Sequence, residues 1–588
     1  MTSSPPPRVH ADVAVIGGGL GGVAAALAAC AAGRTVVLTT DQDVLGGQIT
    51  SQLVPALDEH PHVERGGISA SYRGLREALR ARYGGVANPG GGWVSRLCFE
   101  PAAARAVLAD LLAPHVRAGR LTVLTGLRPA AVVREADVVG EVRLEAVQGP
   151  GHDVTVAAEV FCDATETGAL LPQAGADWVV GSEGTEAYGE SLALPGGPRP
   201  HAVQSCTVGF AVEHRPGEDH TVPRPQGYSR WRDGQPFTLE IAGWDDRRHR
   251  YRMFTEGPDG HPPFWTYRRL RDGGVLGGPD IALINWSGND YADASLVHEP
   301  RRATEEARAL SLAFLHWLQT ECPRDDGSGF GYPGLRLSPE AAGTPDGLAA
   351  EPYVRESRRL ASARPVREQD LLPVPGRARA ANMPDSCGLA SYHMDLHARV
   401  GHPGSAYAPT APFQIPLSAL VGSQPVNLVA AAKNLAATQV AAAAYRVHHG
   451  EWAVGEAAGT LAANAVRRGL TPLRAATDPA ARVGVQQDLV RAGVPLAWLL
   501  DVPPEHPVFA HAHLLAAAGG LAGERLATLE AQLGRPVDEA DAAALTGAAG
   551  RLAPGLEPPA VAVGSAWPDA VTALGTAVHR ALDVSTAR

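Results

Sequence analysis

Side chains able to move protons, bind anions or ligate metals gather late in this 588-residue chain. In Tyr392-His393-Met394-Asp395-Leu396-His397 the alternation places His393, Asp395 and His397 on one face if the segment is a strand. Imidazole and carboxylate are good metal ligands, and the same three residues also describe a hydrogen-bonded active-site wall. Arg355, Arg358 and Arg359 form a second group. A guanidinium fork suits bidentate binding of a carboxylate or another anionic substrate, although a solvated helix face would read the same way. A third group is Tyr445, Arg446, His448 and His449. Histidine is matched to proton removal near neutral pH.

These residues need a scaffold, and the first fifty residues supply its clearest part. Val13-Ala14-Val15-Ile16 is wholly apolar, as a central parallel strand covered on both faces should be. It runs into G-x-G-x-x-G at Gly17, Gly19 and Gly22. Gly17 allows the tight turn, Gly19 lets backbone approach a pyrophosphate, and Gly22 lets a helix sit close to the strand. Val23 to Ala32 is a good helix former, Gly33 caps it, and Thr35 to Thr39 reads as the next strand. The helix start presents partial positive charge to phosphates. The acidic residue expected at the end of the second strand is displaced: Thr39-Thr40-Asp41 stands there, so either Asp41 or the Thr40 hydroxyl contacts the ribose.

Composition narrows the classes. Length predicts roughly three or four domain-sized units. With 45% apolar and 19% charged residues, the chain is globular rather than disordered or fibrous. A net charge of −11, without any Lys/Arg cluster, disfavours nucleic acid and anionic membrane as partners. Cys30, Cys98, Cys162, Cys206, Cys322 and Cys387 contain no C-x-x-C pair. Structural zinc and iron–sulfur clusters are therefore not indicated, and buried free thiols in a reducing compartment are expected. The Ser/Pro segment Met1 to His10 lacks the pattern of a signal peptide, and no run of about 18 apolar residues follows, so a cytoplasmic location is expected.

Asp43-Val44-Leu45-Gly46-Gly47-Gln48-Ile49-Thr50-Ser51-Gln52 follows the second strand. Here the chain resembles the FAD-dependent oxidoreductase family, whose members carry a glycine pair and a Gln or Ser at this place, as in related glutathione-reductase-type folds. The resemblance continues at Pro55 to Pro61, at Phe161-Cys162-Asp163-Ala164-Thr165-Glu166-Thr167-Gly168, at Arg355 to Arg359, at Ala411 to Pro416, and from Asn427 through Lys433-Asn434 to Tyr445-Arg446-Val447-His448-His449-Gly450-Glu451-Trp452. It covers residues 11 to about 470. Relatives usually have glycine where this chain has Ala432.

The resemblance implies an α/β architecture with a Rossmann-like FAD-binding domain split in sequence (1–180 and 391–470), an inserted α+β substrate domain (181–390) and a mostly helical C-terminal appendage (471–588). It implies FAD as cofactor, held by Gly17, Gly19, Gly22, Thr40, Asp41, Gly46, Gly47, Gln48, Asp163, Thr165 and Asn434, with turn capping as the alternative role for Asp163. The middle of the chain carries Trp231, Trp244, Trp265, Trp286 and Trp317, and an amphipathic helix over Thr304 to Thr320. Because the resemblance puts its segment beside the flavin ring, His448 is the expected general base, with His393 or His397 as the alternate. Arg446 is expected to bind substrate or stabilise charge on the reduced ring, and Arg358 to belong to the anion-binding group.

The implied activity is hydride transfer between a small organic molecule and flavin, with the electron acceptor undetermined. A structural or redox-neutral use of FAD is the alternative. Asp501 to Ala517 also resembles one S-layer-homology-like repeat, although its later signature is absent, so either a wall-binding module or a structural helical appendage is open.

Overall fold

The computed structural model describes residues 6–149, 153–242 and 247–586. Trp244 lies outside the described residues.

Strand β1 (Arg8–Ile16) becomes fully buried over Val13 to Ile16, and α1 (Leu20–Ala31) begins after three intervening glycines. β2 (Val36–Thr39) and β3 (Leu121–Leu124) extend the sheet in parallel on one side of β1. β6 (Val154–Asp163) pairs in parallel on the other side, with Ile16 opposite Asp163. The carboxyl ends of β1, β2 and β6 therefore open at one edge, which is where α/β sheets bind ligands. β6 is shared along its length. Its first half pairs antiparallel with β5 (Val138–Ala146), itself paired with β4 (Leu127–Glu135), while its last three residues pair in parallel with the strand Leu428–Ala430. That last pairing returns a distant part of the chain to the end of β6.

The split expected from the sequence is thus present, and helix packing reinforces it. The helix His448–Arg468 lies against α1, and glycines make the contact possible. A Cβ at Gly455 would lie 2.0 Å from the Gly21 carbonyl oxygen, and one at Gly459 would lie 2.1 Å from that of Ala25. The first turn of this helix carries the polar residues His448, His449 and Glu451.

A second hydrophobic core is built from residues between Cys206 and Ala349, with Leu53 reaching into it. Its sheet is antiparallel, in the order Arg269–Arg271, Ile281–Ile284, Phe210–His214, Leu335–Leu337. The helix Pro300–Thr320 packs on it, and Trp231, Trp265, Trp286 and Trp317 are buried there. From Leu360 onward most buried apolar residues belong to the first core, while Leu389, Trp498 and Leu500 form a small cluster of their own. The pairing of Arg359–Leu360 with Trp178–Val179 is the hinge of that return. The C-terminal region is helical, as expected, and packs on the first core. Leu515, Leu545, Trp567 and Val571 are continuous with the first core. Arg379 ties the tail down by donating to the carbonyls of Trp498, Arg525 and Thr528. Nothing beyond the residues that suggested it supports the S-layer-homology resemblance.

All six cysteines are free and buried, and burial raises the thiol pKa of Cys98, Cys162, Cys206 and Cys322 to about 12. No helix among the described residues is long and apolar enough to cross a membrane.

Candidate functional site: a dinucleotide cleft and an adjoining charged cluster

A cleft of about 400 Å3 opens at the strand ends, lined by Gly17, Gly19, Thr40, Asp41, Gly47 and Thr165 among the expected residues, and by Glu166 and Glu351. Gly17 has φ +115°, and a Cβ there would lie 2.1 Å from the Ala164 carbonyl oxygen. No other residue fits that turn. Gly19 and Gly47 face each other across Glu166, whose Oε1 would lie 2.4 Å and 2.6 Å from Cβ atoms added at the two positions.

The other expected cofactor residues act one layer back. Gly22 seats α1 against Gly17, where a Cβ would meet the Gly17 oxygen at 2.0 Å. Gly46 has φ +113° and donates its N–H to the Gly18 carbonyl at 2.8 Å. Asn434 donates to the Asp163 carbonyl at 2.9 Å and accepts from Ala432 N–H at 3.2 Å, holding the turn after Leu428–Ala430 to the end of β6. The turn accommodates Ala432 as a fully packed residue. Asp163 Oδ1 accepts from the N–H and the hydroxyl of Thr165 at 3.0 Å and 2.7 Å. These bonds cap the turn after β6. Burial raises its pKa to about 6.

Behind the glycines lies a buried charge network. Lys433 Nζ donates to Glu166 at 2.5 Å and to Glu451 at 2.8 Å. Glu451 also accepts from Gly21 N–H at 3.3 Å and from Gln48. Burial opposes the charge on Lys433, but the two carboxylates outweigh it and raise its pKa. A carboxylate on the first turn of α1 shows the anion preference of that helix end. Gln48 Nε2 also donates to the Arg446 carbonyl at 3.0 Å, which joins this network to the third group of candidate residues.

Three carboxylates, Asp41, Glu166 and Glu351, share the cleft. Glu351 accepts from Ser51 Oγ at 2.6 Å and from Gln42 Nε2 at 3.3 Å. Burial, and then Asp41 and Glu166, push its carboxyl pKa up. The chemistry fits FAD. The glycine backbone is open to a pyrophosphate, and the carboxylate oxygens, including the buried and unpartnered Glu166 Oε1, are acceptors for ribose and ribitol hydroxyls. Both ribose candidates at the end of β2 line the cleft: the Asp41 carboxylate, and the Thr40 hydroxyl, which also accepts from Gln42 N–H at 3.2 Å.

Next to Gln48 stands a cluster that joins both cores. Arg446 donates to the Tyr353 phenol at 2.9 Å and to Asp395 Oδ2 at 3.2 Å. His397 bridges two acids, with Nδ1 2.6 Å from Asp290 Oδ2 and Nε2 3.3 Å from Asp395 Oδ2. Arg355 donates to Asp290 Oδ1 at 3.0 Å and to Thr207 Oγ1 at 2.8 Å. Burial and Arg355 oppose protonation of His397, but Asp395 and Asp290 outweigh them and raise its pKa. Burial likewise opposes ionisation of the two acids, and their cationic neighbours hold both below the usual carboxylate range. His397 is thus the ion-pair partner of two carboxylates. Among the described residues no group of three or more His, Cys, Asp or Glu side chains is arranged to hold a metal ion.

Two expected catalytic residues are placed elsewhere. His448 Nδ1 accepts from Asp58 N–H at 3.0 Å and its Nε2 lies 2.9 Å from the Val54 carbonyl, so both ring nitrogens are engaged by backbone. Burial lowers its pKa further. A ring nitrogen already accepting a hydrogen bond has no lone pair left for a substrate proton, so His448 pins the Val54–Asp58 segment. Arg358 donates to the Thr167 and Val297 carbonyls, both at 3.0 Å, and braces the cleft walls without joining the Arg355 cluster.

Asp290, Tyr353 and Glu351 had no motif to announce them. Lys433 and Glu451 did leave a signal, as isolated charges in alanine- and glycine-rich segments.

A mixed sheet whose strand ends cradle a glycine turn, closed by a returning strand and helix, defines an FAD-binding protein of the Rossmann-like class. The chain belongs to the FAD dependent oxidoreductase family, whose model matches residues 12–483. No curated protein is significantly similar to it. Among solved structures it is similar to a geranylgeranyl bacteriochlorophyll reductase-like protein of Thermoplasma acidophilum, at 11% identity and a TM-score of 0.30 over 97% of this chain and 100% of that one. It is also similar to L-proline dehydrogenase of P. horikoshii, at 17% identity and a TM-score of 0.16 over 31% of this chain and 25% of that one. A third is THI4 of Thermovibrio ammonificans, at 16% identity and a TM-score of 0.20 over 32% and 75%. The chain thus spans a quarter of the proline dehydrogenase and three quarters of THI4.

Proposed function

We propose that this FAD-dependent oxidoreductase exchanges a hydride between its flavin and a small organic substrate held between the two cores. The observation that carries the reading is the direct link from the cleft to the charged cluster: Gln48 touches both Glu451 and the Arg446 carbonyl. Bound FAD would supply the redox chemistry, with Gly17, Gly19, Gly47, Asp41, Glu166 and Glu351 holding it.

The chain's own residues then bind and orient the substrate and manage its proton. His448 is fixed by backbone and His397 is paired with two carboxylates, and we assign His393 as the proton acceptor among the three candidate histidines. Burial lowers the pKa of His393, so it is neutral near neutral pH. It stands immediately before the strand Met394–Leu396, whose Met394 and Leu396 are buried in the core while Asp395 turns the other way. Arg446 and Asp395 would fix the substrate's polar end.

His393→Gln tests this assignment. The variant is expected to keep its FAD and lose at least about a hundredfold in the rate of flavin reduction, the usual share of a positioned base. Unchanged reduction by the same substrate would remove His393 from the mechanism.

A further inference from the structure

The cleft at the strand ends has two walls of different origin. One belongs to the first sheet: Asp41 and Gln42 follow β2, and Leu127, Arg128 and Pro129 open β4 beside them, with the Leu127 N–H on the Thr40 carbonyl at 2.9 Å. The other comes from the inserted core, as Leu296 and the first residues of the helix Pro300–Thr320, Pro300 and Thr304. Both walls line the same cavity of about 400 Å3 as Gly17 and Gly19.

Direct contacts hold the second wall to the first at two places. Gln42 Nε2 donates to Glu351 Oε2 at 3.3 Å, and two residues before Glu351 the Ala349 carbonyl accepts at 2.8 Å from Arg308, one turn beyond Thr304. Arg358 donates to the carbonyls of Thr167 and of Val297, the neighbour of Leu296, both at 3.0 Å. The segment after Thr167 is itself tied to β4, because Gln173 Nε2 donates to the Pro129 carbonyl at 3.1 Å. The start of the helix therefore sits at the end of the cleft where β2 and β4 meet it.

That end suits adenosine. A helix start behind a glycine turn takes the pyrophosphate, and the end of the second strand takes the adenosine ribose. Gln48, on the way to Arg446, lies toward the opposite end. Adenine is a flat, largely apolar ring, and such ligands sit between apolar walls that carry a few placed polar atoms. Leu127 and Pro129 supply one such wall, and Leu296 and Pro300 the other. The Thr304 hydroxyl donates to the Pro300 carbonyl at 2.8 Å, which leaves its lone pairs to accept from an adenine amino group.

We propose that the adenosine half of FAD lies between the two cores, with Leu296, Pro300 and Thr304 of the inserted core as one wall of the adenine site. The inference rests on the assignment of this cleft to FAD. It makes the cofactor a bridge between the cores, so that the insert contributes to cofactor binding as well as to the substrate side.

The test compares FAD with ADP, which carries the adenosine and pyrophosphate without the flavin, on the full-length protein freed of FAD. Flavin fluorescence reads the FAD Kd and calorimetry the ADP Kd. Leu296→Ala is expected to raise both values by the same factor, about three- to tenfold, through lost apolar contact. Thr304→Glu sets a carboxylate at a half-buried position of the wall, in a helix that accepts glutamate readily, and should raise both at least about tenfold. This second variant covers the case in which Leu296→Ala does not fold. Weakened FAD with unchanged ADP, or both ligands unmoved by both variants, would overturn the inference. An unmutated protein that binds FAD but not ADP overturns it alone, whereas one that takes up neither overturns the assignment of the cleft to FAD and this inference with it. Matched weakening of both ligands in a protein whose flavin no substrate reduces supports the inference and contradicts the hydride-transfer reading alone.

Discussion

Gly455 stands with its Cα against the Gly21 carbonyl, so close that a Cβ would lie 2.0 Å from that oxygen. This contact presses the helix His448–Arg468 onto α1 and brings Glu451, one turn earlier, to the N–H of Gly21. Gly455→Ala is expected to cost about 1–3 kcal/mol through overpacking of backbone that has nowhere to move. Gly74→Ala, in a helix where an added Cβ meets nothing within 4 Å, should instead stabilise by about 0.5–1 kcal/mol. Denaturant unfolding of the two variants checks the contrast.

Lys433 is enclosed with Glu166 and Glu451, and removing it leaves two buried carboxylates without a counter-charge. Lys433→Met is expected to destabilise by about 3–5 kcal/mol and to purify with less FAD. Pairing it with Glu451→Met should recover only part of the lost stability, because Glu166 still lacks its counter-charge. Thermal melts and the FAD-to-protein absorbance ratio measure both effects.

Glu351 gives a pH-dependent prediction with a definite sign. Its folded pKa is raised by burial and by Asp41 and Glu166, so the stability it permits is present below the unfolded value of about 4.3 and falls as pH rises toward the folded value. Glu351→Gln should therefore raise the melting temperature of the FAD-free protein little near about pH 4 and increasingly toward about pH 8. A gap that stays constant across this range would contradict the burial of three acids in one cleft.

The Asp290–His397–Asp395 cluster has the opposite behaviour at each end of the scale. The depressed acids stabilise above their unfolded pKa of about 3.9 and lose that contribution as pH falls through their folded values. His397, raised, stabilises fully below its unfolded pKa of about 6.5 and loses this as pH rises through its folded value. His397→Asn is expected to lower the melting temperature most between about pH 4 and 6.5, with the gap closing at higher pH. Melts across that interval decide it.

The parts of this molecule legible in the sequence are those governed by local rules. The run Val13 to Ile16, the turn at Gly17 and the small-residue helix follow from strand burial, backbone freedom and helix propensity over some twenty consecutive residues, and all three stand where expected. The return of Leu428–Ala430 to β6 was visible only through family resemblance, because a three-residue apolar run has no period of its own. For His448, sequence shows its type and neighbourhood but not that Asp58 and Val54, some 390 residues earlier, engage both of its nitrogens. Asp290 and Glu351 carry no local pattern at all. Their roles arise where two cores meet, and that meeting depends on long-range packing that no short spacing encodes.

The central claim, a redox-active flavin working on a substrate held between the cores, is tested most directly by anaerobic titration of the purified holoprotein with a panel of small carboxylate-bearing alcohols and amines, following flavin absorbance near 450 nm as an approximate marker. The account predicts that at least one compound bleaches the bound flavin and that His393→Gln slows the bleaching without loss of FAD. A flavin that chemical reductant bleaches but no compound in the panel does, alongside turnover of substrate without any electron acceptor, would contradict it and establish a redox-neutral use of the cofactor.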